Sequence, residues 1–309
     1  MTYNHQQLFL AITGRQYPVT HFHCKNDAIS SNYFCEVSFT STEYLDHAPG
    51  EKVCLIIKNT CYLHGILYKW INEGKKLGLY YYKIHFFSLM NTLAQLNNKN
   101  YVQQTIPNIL QTLLQKNNVN DHELHLTKSY SAINFLAQYQ KSDLFIFENL
   151  LKEHQIFYCW EQKKDKSTLH LSDDKNTLNS LFKACLLSYK PFTTGIDNED
   201  LVFEKSYSKS INGNEYYFFK TNCCTLYPGQ ILHLSAQEPL YNKSFRIINI
   251  EHFGEQLSDD IHAEQQQLLY QNKITCIYFS KDFIKNPKQQ RALRTLTAYT
   301  TQQNHNTLD

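Results

Sequence analysis

The sequence predicts a mainly β protein with α insertions: two small barrel-like β units separated by a helix-containing segment. Three observations carry this expectation. Tyr and Phe, which suit pleated and half-buried surfaces, number 22 and 19 among 309 residues. Apolar side chains alternate with a period of two up to about Ser88 and again after Leu201. Between those stretches the period lengthens to that of a helix. Strands, then helices with a hairpin, then strands again is not the order of an alternating parallel α/β fold.

Each element follows from a local pattern. Leu8, Leu10 and Ile12 alternate as one face of a strand, and so do Cys35, Val37 and Phe39. The runs Lys52–Lys58 and Cys61–Trp70, separated by Asn59-Thr60, read as paired strands. Asn72-Glu73-Gly74 supplies turn chemistry before the Tyr-rich strand Leu77–Phe87. Phe86, Leu89, Met90 and Leu93 then fall at helical spacing, and Ile106, Ile109, Leu110, Leu113 and Leu114 repeat it. Thr105 stands where an N-cap belongs, with Pro107 in the first turn where its missing N–H is harmless. A further helix is expected from Ser142 to about His154, capped by Ser142 or Asp143. It leads into a hairpin of Ile156–Trp160 and Thr168–Leu171 around the polar turn Lys163–Lys166. A helix is expected near Leu178–Leu187, within a mixed stretch from Lys175 to Asp200. Tyr216–Phe219, Ile231–Leu234 and Phe245–Ile250 read as strands, with Tyr227-Pro228-Gly229-Gln230 as a turn, and the polar end from Lys285 reads as a tail. The expected division is a first β-barrel domain at 1–88, a helical and hairpin insertion at 89–200, a second β-barrel domain at 201–280 and a polar tail at 281–309.

Composition narrows the function. The balance of 30 Lys+Arg against 28 Asp+Glu gives no reason to expect nucleic acid. No apolar run approaches the ~20 residues that cross a bilayer, and Met1–Gly14 lacks the pattern of a secretory signal, so a cytoplasmic chain without a membrane anchor is expected. Nine cysteines, an odd number in a chain of this size, argue against a disulfide scaffold and for a reducing compartment.

Candidate chemical motifs are weak. His21-Phe22-His23-Cys24 places two histidines on one strand face, but nothing supplies the further ligands a metal needs. Neighbouring Cys223 and Cys224 would point to opposite faces of a strand, and Lys220 is the only basic residue near them. Asp173-Asp174 follow a hairpin and suit a turn or cap. Lys163-Lys164-Asp165-Lys166 suits a solvated hairpin tip, or contact with an acidic partner. No nucleophile elbow, phosphate loop or zinc-protease helix is present. The expectation is therefore no enzyme, no catalytic residue, no cofactor site and no metal ligand.

One block is specific. Gln138-Tyr139-Gln140-Lys141-Ser142-Asp143, Phe145 to Leu151, Lys152 to Tyr158, and Leu169-His170-Leu171-Ser172-Asp173-Asp174 together resemble the hallmark block of the VgrG family. Those are hub proteins of type VI secretion systems, related to the late-control D baseplate hubs of contractile phages. Gln155 stands where the family prefers Gly, and Cys159-Trp160 where it usually has Phe. The likeness extends colinearly from about residue 5 to 280. It takes in Leu63-His64-Gly65-Ile66-Leu67, Leu79 to Leu96, Gln103 to Leu114, Cys224 to Leu232, Phe245 to His252 and Tyr270-Gln271-Asn272.

The resemblance implies a phage tail hub-like fold with two similar barrels per chain. It also implies a homotrimer that matches a trimeric spike to a hexameric tail tube, within an injection apparatus or a virion. No spike-like repeat of short Gly-punctuated strands follows Ile284, so the spike is expected to be a separate protein, with other baseplate components as further partners. The rival expectation is a stand-alone β-barrel module that binds a carbohydrate or other ligand. An effector enzyme delivered by such a machine is a third, and it would need a convergent catalytic cluster.

Overall fold

The computed structural model describes residues 7–26, 32–174, 177, 184–190, 200–209, 215–257 and 267–279. The first strands are β1 (Leu8–Ile12), β2 (Arg15–Asn26), β3 (Tyr33–Ser41), β4 (Lys52–Ile57), β5 (Cys61–Lys76) and β6 (Leu79–Ser88). A short 3-10 turn (Leu89–Ala94) leads to β7 (Leu96–Gln104), α1 (Ile106–Lys116), β8 (His122–His125), β9 (Ile133–Ser142), α2 (Asp143–Glu153), β10 (Phe157–Gln162) and β11 (Ser167–Ser172). The chain continues through β12 (Cys185–Tyr189), β13 (Leu201–Lys209), β14 (Glu215–Thr221), β15 (Ile231–Ser235), β16 (Ser244–Leu257) and β17 (Gln267–Tyr278).

The strand pairings close two rings. Strands β1-β4-β5-β6-β3-β2 form the first, closed by the β1–β2 pairing and antiparallel throughout. Strands β16-β15-β12-β13-β14-β17 form the second, closed by β16–β17. In the second ring β12 runs parallel to both its neighbours, β13 and β15. A closed sheet leaves no free edge within the ring, and a six-stranded barrel is narrow enough for side chains to fill it. Leu8, Leu10, Ile12, Phe22, Val37, Leu55, Ile84 and Phe86 fill the first; Val202, Phe219, Leu232, Phe245, Ile250 and Ile274 fill the second.

Between the rings in sequence lies an insertion with its own core. Ile109, Leu110, Leu113 and Leu114 of α1 pack with Phe147, Leu150 and Leu151 of α2 and with Leu169 and Leu171 of β11. Two small sheets complete it: the ribbon β7–β9 and the three-stranded β10–β11–β8.

Several expectations are corrected. The hairpin joining β5 to β6 turns at Leu77-Gly78, whose φ values of 48° and 83° are both positive, as the two-residue turn matching strand twist requires. Asn72-Glu73-Gly74 is instead a bulge within β5, with Gly74 at φ 102° and its N–H donating to Asn72 Oδ1 at 2.8 Å. The helical pattern at Phe86–Leu93 yields only the 3-10 turn, because Phe86 is still a β6 residue facing the first core. The C-terminal part of the helix expected near Leu178–Leu187 is β12, since a short apolar run fits a buried strand as well as a helix. Most of the rest of that stretch, and the tail from Lys285, lie outside the described residues.

Candidate functional site

The two rings are joined by a seam made of β2 and β16, two long strands that each pair in both rings. The first part of β2 pairs with β1 (Phe9↔Pro18 to Ile12↔Arg15), and its second part pairs with β16 (Ile250↔Asn26 to Glu255↔His21). In the same way β16 begins against β15 and then moves to β2, keeping β17 on its other side. Each strand thus closes its own ring and then bonds to the other ring. The main-chain ladder runs unbroken across both.

Side chains lock the seam. Phe22 is fully buried and lies over Gly254, which faces it across the β2–β16 ladder. A Cβ on Gly254 would stand 2.1 Å from Phe22 Cε1, so this position tolerates no side chain without displacing the ring. His23 stacks on Phe253 at 4.5 Å, with its Nε2 2.7 Å from Glu251 Oε1. The Gln256 side-chain oxygen accepts from the N–H groups of Gln7 and Leu8, both at 3.3 Å. Cys223 lies in the second core and Cys224 in the first, so these neighbouring thiols point into different barrels.

Behind the seam is a buried polar chain. Asn272 Nδ2 donates to Cys223 O at 2.7 Å and to the Tyr270 hydroxyl at 3.1 Å, and that hydroxyl lies 2.7 Å from His252 Nδ1. Burial lowers the His252 pKa from 6.5 to about 4, so the ring is neutral in the fold. The unfolded chain protonates first as pH falls. Stability is therefore full above about pH 6.5 and declines toward pH 4, by up to about 3 kcal/mol. Urea midpoints measured between pH 7.5 and 4 are expected to show this slope, and His252→Gln to flatten it.

The hallmark block is explained by one carboxylate. Asp143, 2% exposed, opens α2 and accepts from Asn97 Nδ2 (3.2 Å), Lys116 Nζ (2.9 Å), Asn117 Nδ2 (2.9 Å) and Gln138 Nε2 (2.8 Å). Burial by itself raises its pKa, but these four donors outweigh that and hold it below the usual carboxylate value. It ties the end of α1, both ribbon strands and the start of α2 together, and its charge suits a helix N-terminus. Ser142 is the cap, accepting from Phe145 N at 3.1 Å. Gln155, just after α2, has φ 54°, the left-handed region that Gly adopts freely.

The other sequence candidates find structural places. Asp173 accepts from Thr127 N, Thr127 Oγ1, Lys128 N and the Tyr130 hydroxyl at 2.8–3.1 Å, holding the loop between β8 and β9. The lysine turn is docked on the first ring: His64 Nε2 lies 2.7 Å from Lys163 O, while Lys163 pairs with Glu161 and Lys166 with Asp121. Among the described residues, His21 and His23 gather no third ligand. Cys24 is bonded to Cys35, its direct partner across β2–β3, so the chain carries one bridge where none was expected; the other seven cysteines are free. Cys54 is pushed up to about 12 by burial, and burial also raises Cys61 and Cys276, the opposite of an activated nucleophile.

A cluster missed by motif inspection lies on the polar face of the three-stranded sheet. There Glu123, His125 and His170 present ligand-type atoms within 4.8 Å of one another. They come from two strands that are distant in sequence and paired in parallel, with His170 opposite Glu123. The alternation His122-Glu123-Leu124-His125 was the available signal, marking a strand with a Glu/His face.

The ribbon β7–β9 presents large apolar side chains to solvent. No third strand joins it among the described residues, and Leu96, Val102, Phe135 and Tyr139 are all more than half exposed.

Two closed rings bonded through one seam, with a helical insertion between them in sequence, define a β-rich two-barrel protein. The chain belongs to the phage tail baseplate hub (GPD) family, whose model matches residues 26–213. It is 32% identical over 85 residues to the actin cross-linking toxin VgrG1 of Vibrio cholerae, covering 28% of this chain and 8% of that protein. It is 22% identical over 174 residues to the type VI secretion system spike protein VgrG1a of Pseudomonas aeruginosa, covering 54% of this chain and 27% of the relative. The matches thus span about a quarter or less of these relatives' lengths. Among solved structures, the fold is similar to the E. coli c3393 protein, with TM-score 0.69, 18% identity and coverage of 88% and 77% of the two chains. That protein is described as a component of the type VI secretion system with structural similarity to the T4 bacteriophage tail proteins gp27 and gp5.

Proposed function

We propose that this chain is the structural hub subunit of a contractile injection machine, a type VI apparatus or a phage-like tail, and that it acts as a homotrimer without catalysis. The observation that carries this is the pair of closed six-stranded rings in one chain, bonded side by side through β2 and β16. Three copies about a threefold axis would present six rings, a collar that a trimeric spike and a hexameric tube can both meet. The partners on this reading are a separate spike protein, the tail-tube protein and other baseplate components. Assembly takes place in the cytoplasm of the producing cell, or in a virion if the tail is a phage's. The division into 1–88, 89–200, 201–280 and 281–309 belongs to the same proposal, with Cys185–Tyr189 lending its strand to the second ring.

The ribbon supports assembly. A two-stranded sheet with open edges and exposed large apolar side chains is marginal by itself and gains by being covered. No helix among the described residues is long and apolar enough to cross a membrane. The rival reading, a ligand-binding barrel, fits less well because both ring interiors are filled by side chains. Native mass spectrometry of the chain, alone and mixed with its spike, is expected to give a species of three 36.4 kDa chains. A strictly monomeric chain at high concentration with the spike present would defeat the proposal.

A further inference from the structure

We propose that Glu123, His125 and His170 form a binding site for a divalent transition-metal cation, Zn2+, on the polar face of β8–β11. This inference is independent of the hub reading. The three candidate ligand atoms stand at the corners of a nearly equilateral triangle. His125 Nε2 is 3.2 Å from His170 Nδ1, and Glu123 Oε2 is 3.4 Å from each of those nitrogens. Zinc bonds to imidazole nitrogen and carboxylate oxygen are about 2.0–2.1 Å long, so a tetrahedral ion holds its ligands about 3.3–3.4 Å apart. The spacing already present is the spacing such an ion requires.

A second observation fixes the tautomer. His170, 3% exposed, has its other nitrogen, Nε2, 3.2 Å from Glu161 Oε2, and Lys163 Nζ lies 2.8 Å from that same oxygen. An ionised carboxylate only accepts, so His170 keeps its proton on Nε2 and turns the Nδ1 lone pair toward His125 and Glu123. A carboxylate behind the ligating histidine is the usual outer support of a zinc site, orienting the ring and raising its basicity. Strand register supplies the rest. Glu123 and His125 are alternate residues of β8 and share a face, and parallel pairing sets His170 opposite Glu123. The opposite face of the sheet, with Leu169, Leu171 and Trp160, is locked into the insertion core. The side chains of Glu123 and His125 are 57% and 31% exposed, so an ion can enter from that side and a water can complete its shell. Three protein ligands and one open position make a site that pins β8 to β11.

The test uses tag-free full-length protein, stripped with chelator and titrated with ZnCl2 by calorimetry. One equivalent per chain with micromolar or tighter Kd is expected at pH 7.5. Co2+ in place of Zn2+ should give the intense visible bands of a tetrahedral site. His125→Ala is expected to weaken binding at least 100-fold, and Glu161→Gln by roughly 10–100-fold. Glu123→Gln repeats the first test at an exposed position should His125→Ala fold poorly. Zn2+ should also raise the melting temperature of the wild type but not of Glu123→Gln. A wild-type chain that takes up no stoichiometric zinc would reduce the triangle to an ordinary hydrogen-bonded histidine pair. Wild-type affinity in both His125→Ala and Glu123→Gln would place the ion elsewhere. Either result overturns the assignment.

Discussion

Gly254→Ala is expected to destabilise the protein by about 2–3 kcal/mol, and Gly254→Val by more. The added Cβ would stand 2.1 Å from Phe22 Cε1 and 2.8 Å from Cζ, and the Phe22 ring is fully buried in the first core. Either the ring leaves its rotamer or β16 moves off β2, and the second course opens the seam between the rings. Urea denaturation measures the loss. A Gly254→Ala/Phe22→Leu double variant should recover part of it, because the smaller side chain makes room at the same contact. The seam variants should also fail to assemble, since a collar of six rings needs both rings of each chain held in fixed relation. A Gly254→Ala chain as stable as the wild type would mean that the contact is soft and that the seam does not depend on it.

The second large effect is expected at Asp143. Replacing it with Ala removes the acceptor of four side chains, Asn97, Lys116, Asn117 and Gln138, and leaves one N–H of the buried Gln138 amide without its acceptor while the other still donates to Lys141 O. Breaking a buried charged network in this way costs roughly 3–5 kcal/mol. The damage should be local. Hydrogen exchange is expected to accelerate in β7, β9, the C-terminal turn of α1 and the start of α2, while the strands of both rings keep their protection. Asp143→Asn should recover little, because its amide group meets donors with donors. Equal exchange rates in the variant and the wild type would remove Asp143 from its place as organiser of the insertion.

These two positions show what a sequence discloses and what it withholds. The buried faces of β1 and β3 were legible because Leu8, Leu10, Ile12 and Cys35, Val37, Phe39 alternate without interruption. Helix α1 was legible because its apolar stripe and Pro107 agree. Strands β7 and β9 were not, since their Asn- and Gln-rich sequences carry few apolar residues and one face of the ribbon is open. Strand β12 was misread because apolar residues between Leu178 and Leu187 serve helix or strand equally well until a partner strand is known. The hallmark block was recognised by likeness, but its physical reason, a carboxylate at the start of α2 gathering four donors from β7, β9 and the end of α1, needed coordinates. So did Gly254, whose meaning depends on Phe22, far away in the chain. The Glu123–His125–His170 triangle depends on parallel register between strands about 45 residues apart, as the His125–His170 separation shows, and no linear spacing rule encodes that.

The central claim is that three copies of this chain make a closed collar of six strand rings. Electron cryomicroscopy of the purified assembly tests it most directly. The expected image is a threefold ring in which the β1–β6 barrel and the β12–β17 barrel alternate around the axis with near-sixfold spacing. Particles holding a single chain, or an open array in which the barrels do not return to a common axis, would contradict it.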